Sequence, residues 1–540
     1  MTRATVPRVG AAAVRARLAA GDEIALLDVR EQGVHARGHP FFASNAPLSR
    51  LEILAPLLLP RPGMPVVVFD SGDEGLAARA AEVLAGLGYD NVSILDGGLA
   101  AWAAAGHEVF SGVNVPSKAF GEFVEHHDDT PRIPSAELDA MMRAGERLVV
   151  LDARPIEEFR RMCIPGAIDV PGAELAWRVH DLAPDPSITV VVNCAGRTRS
   201  IIGCQSLRNA GIPNRVVALK DGTMGWELAG LRCERGSMRE APPPSSEGRA
   251  RARAAAARVA ERFRVSFVDP ATARQWLSDS GRTTYLLDVR SPAEYRARHI
   301  AGSRNAPGGQ LVQATDEYIA ARAARVVLVD PEQVRAVMTA SWLNQMGLPD
   351  VHVLLPEGED GFAGWSIAEA EVGAPAGSPA PSWQEIEPGT LAERLSDPGV
   401  AVLDLASSLR HRARHVAGAW WGVRSRLREA RDAIAATPVL RTLVLTADDP
   451  RLARFAAPEA AALWPGVEVQ VLSGGNPAWF DARLPVGTGL ERATCATDDV
   501  WYKPYDHATD YERHARAYLE WEVGLVEQIA RDPTIRFRRY

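Results

Sequence analysis

The sequence predicts an α/β protein made of four tandem copies of one domain-sized unit, each a small parallel sheet with helices on both faces, followed by a C-terminal helical tail. Three observations predict it. The chain has 540 residues, well beyond the roughly 250 to 300 at which a single core stops growing. A short amphipathic helix, a turn with Gly or Asp, an apolar strand and an Asp recur as AVRARLAAGDEIALLDVRE, SAELDAMMRAGERLVVLDARP, TARQWLSDSGRTTYLLDVRS and TLAERLSDPGVAVLDLASS. Their anchors Asp28, Asp152, Asp288 and Asp404 lie 116 to 136 residues apart, the period of a domain and not of a solenoid.

The remaining elements follow in the same order in every unit. A His-containing loop comes after the Asp strand, near His39, His299 and His415, with Cys163 replacing the histidine in the second unit. A second apolar strand follows, as PVVVFD, TVVVNC, RVVLVD and TLVLTA. A strand, a Gly-rich turn and a Trp close the unit, at Trp102, Trp226 and Trp479, with a stretched version in the third. Apolar strands separated by helical patterns imply parallel βαβ units with ligand sites at the carboxyl ends of the strands. The units span 1–115, 130–238, 263–372 and 384–487. Joints are expected from Asn114 to Pro134, over a linker 239–262 that begins as coil and continues as helix, and after Val372. In the tail, 488–540, a helix is expected from Asp506 to Arg531, with Tyr511, Tyr518, Leu519, Trp521, Val523 and Ile529 forming an apolar stripe that reads first as docked core and otherwise as a partner site.

Composition removes several function classes. With 46% hydrophobic and 24% charged residues the chain is an ordinary globular one. A net charge of −8 gives no electrostatic footprint for nucleic acid or an anionic membrane, so neither is expected as a partner. No stretch is long and apolar enough to span a bilayer, and the N-terminal segment has no continuous apolar core of a signal peptide. Five cysteines without C-x-x-C spacing fit a reducing, cytoplasmic compartment. His126-His127-Asp128-Asp129 has metal-ligand chemistry but falls in a joint, where a solvated linker is the simpler expectation; no metal site and no cofactor are expected.

At these landmarks the chain resembles the rhodanese family, over about residues 10 to 487. In that family the residue after the second apolar strand is the catalytic cysteine. Alignment of the four copies places Asp70, Cys194, Asp330 and Ala447 there, so only the second unit has a nucleophile.

The residues around Cys194 point the same way without the family. Cys194-Ala195-Gly196-Arg197-Thr198-Arg199 lies between a strand and the helical pattern Ser200 to Ala210. Backbone N–H groups, a helix start and two arginines converge there, a setting that favours the nucleophilic thiolate form of a cysteine. The same loop would hold an anionic donor, with Ala195, Gly196, Arg197, Thr198, Arg199 and Arg154 as candidate substrate-binding residues. Arg154 also repeats with Asp152 as Asp28/Arg30 and Asp288/Arg290, which reads first as a structural ion pair, and Trp226 reads as core. Cys163, Cys204, Cys233 and Cys495 read as inert.

Rhodanese-like phosphatases place an Arg six residues after the Cys; here Ser200 stands there and Arg199 at five, so the short loop fits attack on sulfur. The resemblance implies a thiosulfate sulfurtransferase that carries sulfur on Cys194 as a persulfide and passes it to cyanide or a thiol. Mercaptopyruvate or a small persulfide as donor, a relay or scaffold delivering sulfur to a protein acceptor, and a redox sensor remain alternatives. Tandem rhodaneses pair an inactive first domain with an active second. By that resemblance units one and two form the catalytic pair and units three and four a second pair.

Overall fold

The computed structural model describes residues 6–72, 74–369, 379–435 and 439–540. In each unit five parallel strands pair in the order first, fifth, fourth, second, third. In the second unit these are Arg132–Ile133, Val216–Leu219, Thr189–Asn193, Leu148–Asp152 and Ile168–Asp169. The central fourth strands, Val66–Phe69, Thr189–Asn193, Arg325–Val329 and Thr442–Thr446, are almost wholly buried, as apolar runs covered on both faces must be. Chain direction across the sheet reverses between the second and fourth strands, so the loop leaving the fourth strand opens at the place where parallel sheets bind ligands. That loop holds Asp70, Cys194, Asp330 or Ala447.

The units do not pair as the tandem resemblance implies. The second unit packs against the third and the first against the fourth. Between the second and third, Gly172 and Gly309 meet backbone to backbone, leaving no room for a side chain at Gly309. Beside them Arg335 donates to Glu174 at 2.9 Å, to Glu294 at 2.6 Å and to Asp330 at 2.9 Å, and Trp342 Nε1 donates to Ser206 at 2.8 Å. Between the first and fourth, Arg424 grips Glu52 with two bonds of 2.7 and 2.8 Å, and Ser425 donates to Glu31. The third unit also lends the strand Ala321–Arg322, antiparallel, to the edge of the first unit's sheet. One apolar core consequently runs through the first three units, whereas the fourth has its own, entered by Ile53 of the first.

Two of the joints are ordered helices. The stretch after Asn114 forms a helix, Val115–Asp128, whose inner face buries Lys118, Phe120 and Glu122. His126, His127 and Asp128 lie in its last turn, with His127 stacked on Phe123, so the expected linker without fixed geometry is corrected to a helix end. The linker 239–262 does pass from coil to helix, Ser246–Arg262, capped by the Ser245 hydroxyl and packed through Ala252, Ala255, Ala256 and Val259. Alanines on that face let it lie close against helices Leu175–Leu182 and Val334–Gln345 of the second and third units. The third joint, after Val372, lies outside the described residues as far as residue 378.

The tail crosses the fourth and first units before forming the helix Tyr511–Ala530, which starts five residues later than the sequence pattern predicts because Pro504–Asp506 forms a separate turn. Its docked face is Ala515, Glu522 and Leu525, flanked by Tyr518, Leu519 and Trp521, whereas Val523 points to solvent. Among the described residues no helix is long and apolar enough to cross a membrane.

Removing one partner from a buried ion cluster leaves the others charged and unpaired. Arg335→Met is therefore expected to cost about 3–5 kcal/mol, seen as a lower urea midpoint, whereas Arg253→Ala at the exposed pair with Glu332 changes stability by less than about 1 kcal/mol.

Candidate active site

The strand Thr189–Asn193 ends at Cys194, and the helix Thr198–Asn209 starts four residues later. The turn at Asp221 and Gly222 braces the loop from behind: Thr223 N donates to the Cys194 carbonyl at 2.9 Å and Met224 N to that of Ala195 at 3.0 Å. Gly222 has φ +55, and a side chain there would strike the Cys194 carbonyl. The turn thus supports the loop through its backbone carbonyls. Trp226 beneath it is core, as expected.

What the loop can hold is visible in the units that lack the cysteine. In the first unit the Asp70 carboxylate accepts from Gly72 N at 2.9 Å and Ala77 N at 3.0 Å. In the third, Asp330 accepts from Glu332 N at 3.3 Å, Arg335 N at 2.8 Å and Ala336 N at 3.3 Å. The loop backbone and helix start therefore form a cradle for a negative group. In the second unit the group at that position is the Cys194 sulfur, 3.6 Å from Ser200 Oγ.

The two loop arginines have different fates. Arg199 donates to Glu158 at 2.8 and 3.1 Å and to Gln310 of the third unit at 3.4 Å. Burial alone would weaken its hold on the proton, but Glu158 and the charge of the Cys194 sulfur raise its pKa above the ordinary arginine value. The Glu158 carboxyl, which burial alone would push up, is held far below the usual range by Arg199 and Lys503. Arg197, expected to bind substrate, instead donates to Glu122 at 2.7 Å twice, to Glu125 at 2.5 Å and to Asp221 at 3.2 Å. Its charge is consumed in anchoring the loop to the helix Val115–Asp128.

Arg154 forms the structural ion pair that its repetition in the other units suggested. It forks onto Asp152 with two bonds of 2.8 Å and donates to the Met162 carbonyl at 2.6 Å. Arg30 and Arg290 make the same fork with Asp28 and Asp288 and reach the carbonyls of Gly38 and Arg298 in units without a cysteine. Asn193 joins this brace to the fourth strand, donating to Asp152 at 2.6 Å.

The C-terminal tail roofs the loop, and Cys194 is only 2% exposed. Ala195 packs with Met224, Ala515, Tyr518 and Leu519. Gly196 faces Tyr518 and Glu522 so closely that an added methyl would lie 3.2 Å from each. Thr198 Oγ1 donates to Glu522 at 3.1 Å. Lys118, from the helix after the first unit, donates to Tyr518 at 2.6 Å and pairs with Glu522 at 2.8 Å, and Lys503 lies 3.7 Å from Glu158.

Glu158, Lys118, Lys503, Tyr518 and Glu522 carry no motif that would select them from sequence. One signal was there: lysine occurs only at Lys118, Lys220 and Lys503, and all three fall beside this loop or its supporting turn. The other cysteines are in different surroundings. Burial pushes the thiol of Cys163 to about 11 and those of Cys204 and Cys233 to about 12, and raises that of Cys495. Among the described residues no cluster of His, Cys, Asp or Glu is arranged to hold a metal ion.

The rhodanese-like domain model matches residues 11–105, 135–229 and 269–368. The fourth unit lies outside these matches but shares their strand order. A crystal structure of a thiosulfate sulfurtransferase from Pseudomonas aeruginosa is 47% identical, with 99% of each chain covered and a TM-score of 0.91. The 3-mercaptopyruvate sulfurtransferase of Escherichia coli K12 is 28% identical over 240 residues, 37% of this chain and 82% of the relative. The HTH-type transcriptional regulator Rv0324 of Mycobacterium tuberculosis is 38% identical over 105 residues, 19% of this chain and 45% of the relative. The chain spans less than half the length of the Mycobacterium tuberculosis relatives it matches, 43% to 45%.

The fates of the two arginines are separable by experiment. Arg199→Ala is expected to slow alkylation of Cys194 by iodoacetate about tenfold relative to neutral iodoacetamide, the effect of losing one nearby positive charge. Arg197→Ala should leave that ratio near the wild-type value and instead lower the unfolding midpoint by unpairing Glu122 and Glu125.

Proposed function

The chain belongs to the rhodanese family, and from that membership we propose that it is a sulfurtransferase that takes the outer sulfur of thiosulfate onto Cys194 and passes it to a small thiophile. The observation that carries this reading is the cradle. Where two sister units hold a carboxylate, the second unit holds a sulfur nucleophile, and a persulfide would put its terminal charge among the same kind of N–H groups.

In the first half-reaction the Cys194 thiolate attacks the outer sulfur of thiosulfate. The S–S bond of thiosulfate breaks and sulfite leaves with its electron pair, so that a persulfide anion remains on Cys194. Backbone N–H groups stabilise that anion, and Arg199 with Lys503 offsets the charge of the departing sulfonate. In the second half-reaction cyanide or a thiolate attacks the terminal sulfur, and the electron pair of the broken bond returns to Cys194.

Arg197 is spent on carboxylates and Arg199 is shared with Glu158, so the loop carries less free positive charge than its sequence indicates. That observation favours a second reading, 3-mercaptopyruvate as donor, because a monoanion needs less compensation than a dianion. The tail over Cys194 favours small acceptors over a protein relay. Five free cysteines fit a reducing compartment such as the cytoplasm.

Intact mass after incubation with each donor tests the proposal. With thiosulfate the wild type is expected to gain one sulfur atom and release sulfite, and cyanide then removes that sulfur as thiocyanate. Cys194→Ala gains none. Loading by mercaptopyruvate with pyruvate release, and none by thiosulfate, would transfer the assignment to the second reading.

A further inference from the structure

Glu522 in the tail helix is fully buried, and its two carboxylate oxygens are in opposite situations. Oε1 is saturated: Lys118 Nζ lies 2.8 Å away, Tyr518 OH donates at 2.9 Å and Thr198 Oγ1 at 3.1 Å. Oε2 is equally enclosed and has no hydrogen-bond partner. A buried acceptor is ordinarily satisfied, and one left open beside a reactive loop calls for a function.

The direction of Oε2 supplies one. The neighbour on that side is Gly196, two residues after Cys194, where an added methyl would stand 3.2 Å from Oε2. The absence of a side chain lets the carboxylate lie directly against the sulfur loop. With Oε1 committed to three donors, a proton arriving at this carboxylate would go to Oε2.

Resting on the sulfurtransferase reading, we infer that Glu522 is the base that accepts the proton of a neutral thiol acceptor in the second half-reaction. The acceptor S–H bond breaks and its proton goes to Glu522 Oε2. The electron pair left on the acceptor sulfur forms a bond to the terminal sulfur of the persulfide. The bond from that sulfur to Cys194 breaks, with its pair returning to Cys194 Sγ. The proton then passes from Glu522 to the new persulfide anion, which leaves as RSSH, so no outside oxidant or reductant is consumed. Cyanide ion carries no proton to remove and has no use for this group.

Lys118 and Glu122 face Glu522 from the helix Val115–Asp128, with Glu122 paired to Arg197 of the loop, and Tyr518 from its own helix. Tyr518 stays neutral through burial and the charges of Glu522 and Cys194, with Arg199 opposing them, so it remains a donor to Oε1. Lys118 sits against Oε1 and leaves Oε2 as the open acceptor of the carboxylate.

The experiment separates the half-reactions. Wild type and Glu522→Gln are loaded with thiosulfate, and loading is verified by mass. Discharge is then followed with cyanide and with 2-mercaptoethanol. The expected result is a thiol-to-cyanide rate ratio about a hundredfold lower in Glu522→Gln near pH 7, within the usual range for a lost general base. The deficit should shrink as pH rises toward the thiol's own pKa, where solution supplies the thiolate. An unchanged ratio would overturn the inference.

Should Glu522→Gln fail to fold, the wild type decides the matter. Discharge to 2-mercaptoethanol is expected to be nearly flat between pH 6 and 8, and a rise of about tenfold per pH unit, the signature of preformed thiolate, would overturn it. Failure of the wild type to load from thiosulfate is a different outcome, since it removes the thiosulfate reading. Loading with mercaptopyruvate then lets the same discharge comparison proceed.

Discussion

The structure depends on how each unit satisfies the N–H groups where its fourth strand turns into a helix. A helix start buried between layers has donors that intrahelical bonds cannot reach, and some acceptor must answer them. Asp70 and Asp330 answer with a carboxylate from the first residue of the loop. In the fourth unit Ala447 cannot, and Asp449 two residues later caps the helix in its place, accepting from Arg451 N at 3.0 Å. In the second unit the residue at that position is Cys194, whose sulfur lies 3.6 Å from Ser200 Oγ. A fold requirement for a negative group has thereby become a chemical site wherever the side chain is a nucleophile.

Once the loop carries a cysteine, its surroundings decide what charge reaches it. Arg197 and Arg199 differ by two positions and by almost everything else, because Glu122 and Glu125 stand behind the loop and Glu158 stands in front of it. A cation fully matched by carboxylates steers no anion, whereas Arg199, bonded to Glu158 and Gln310, also interacts electrostatically with Cys194. The brace Asp152–Arg154–Asn193 then ties the second strand to the end of the fourth, so the sulfur has a rigid base.

Much of this was legible in sequence. The four units, their strand sequence and the position of Cys194 follow from periodicity and from local features that coincide: strand end, glycine, arginines and helix start. What could not be read is whatever depends on distant partners. Arg197 looked like a ligand because its partner Glu122 lies 75 residues away, in a segment that looked like a joint. The bond between Thr198 and Glu522 spans 324 residues, and no pattern in a tail helix announces which face it will press onto a loop in another unit. The pairing of units is illegible for the same reason, since Gly172 against Gly309 and Arg335 against Glu174 leave no periodic trace. Scarcity of lysine was the available clue, since Lys118 and Lys503 stand where a flexible cation meets a carboxylate beside the sulfur.

The units without a cysteine have a role that follows from the path of the tail. Before it reaches Cys194 the tail is pinned to the fourth unit, where Thr494 N donates to the Trp421 carbonyl and Asp498 pairs with Arg426. It is pinned to the first where the Asp499 carbonyl accepts from Gln32 N, and beyond the active loop where Trp521 donates to the Ser111 carbonyl and Asp532 pairs with Arg15. Arg538 N finally donates to the Gln345 carbonyl of the third unit. Each anchor restricts where Tyr518 and Glu522 can lie over Gly196. A roof held at one end would fray, since most helical stability in proteins comes from tertiary packing. Held from the first, third and fourth units, it encloses the sulfur of the second, so that one catalytic loop draws its geometry from all four copies of the fold.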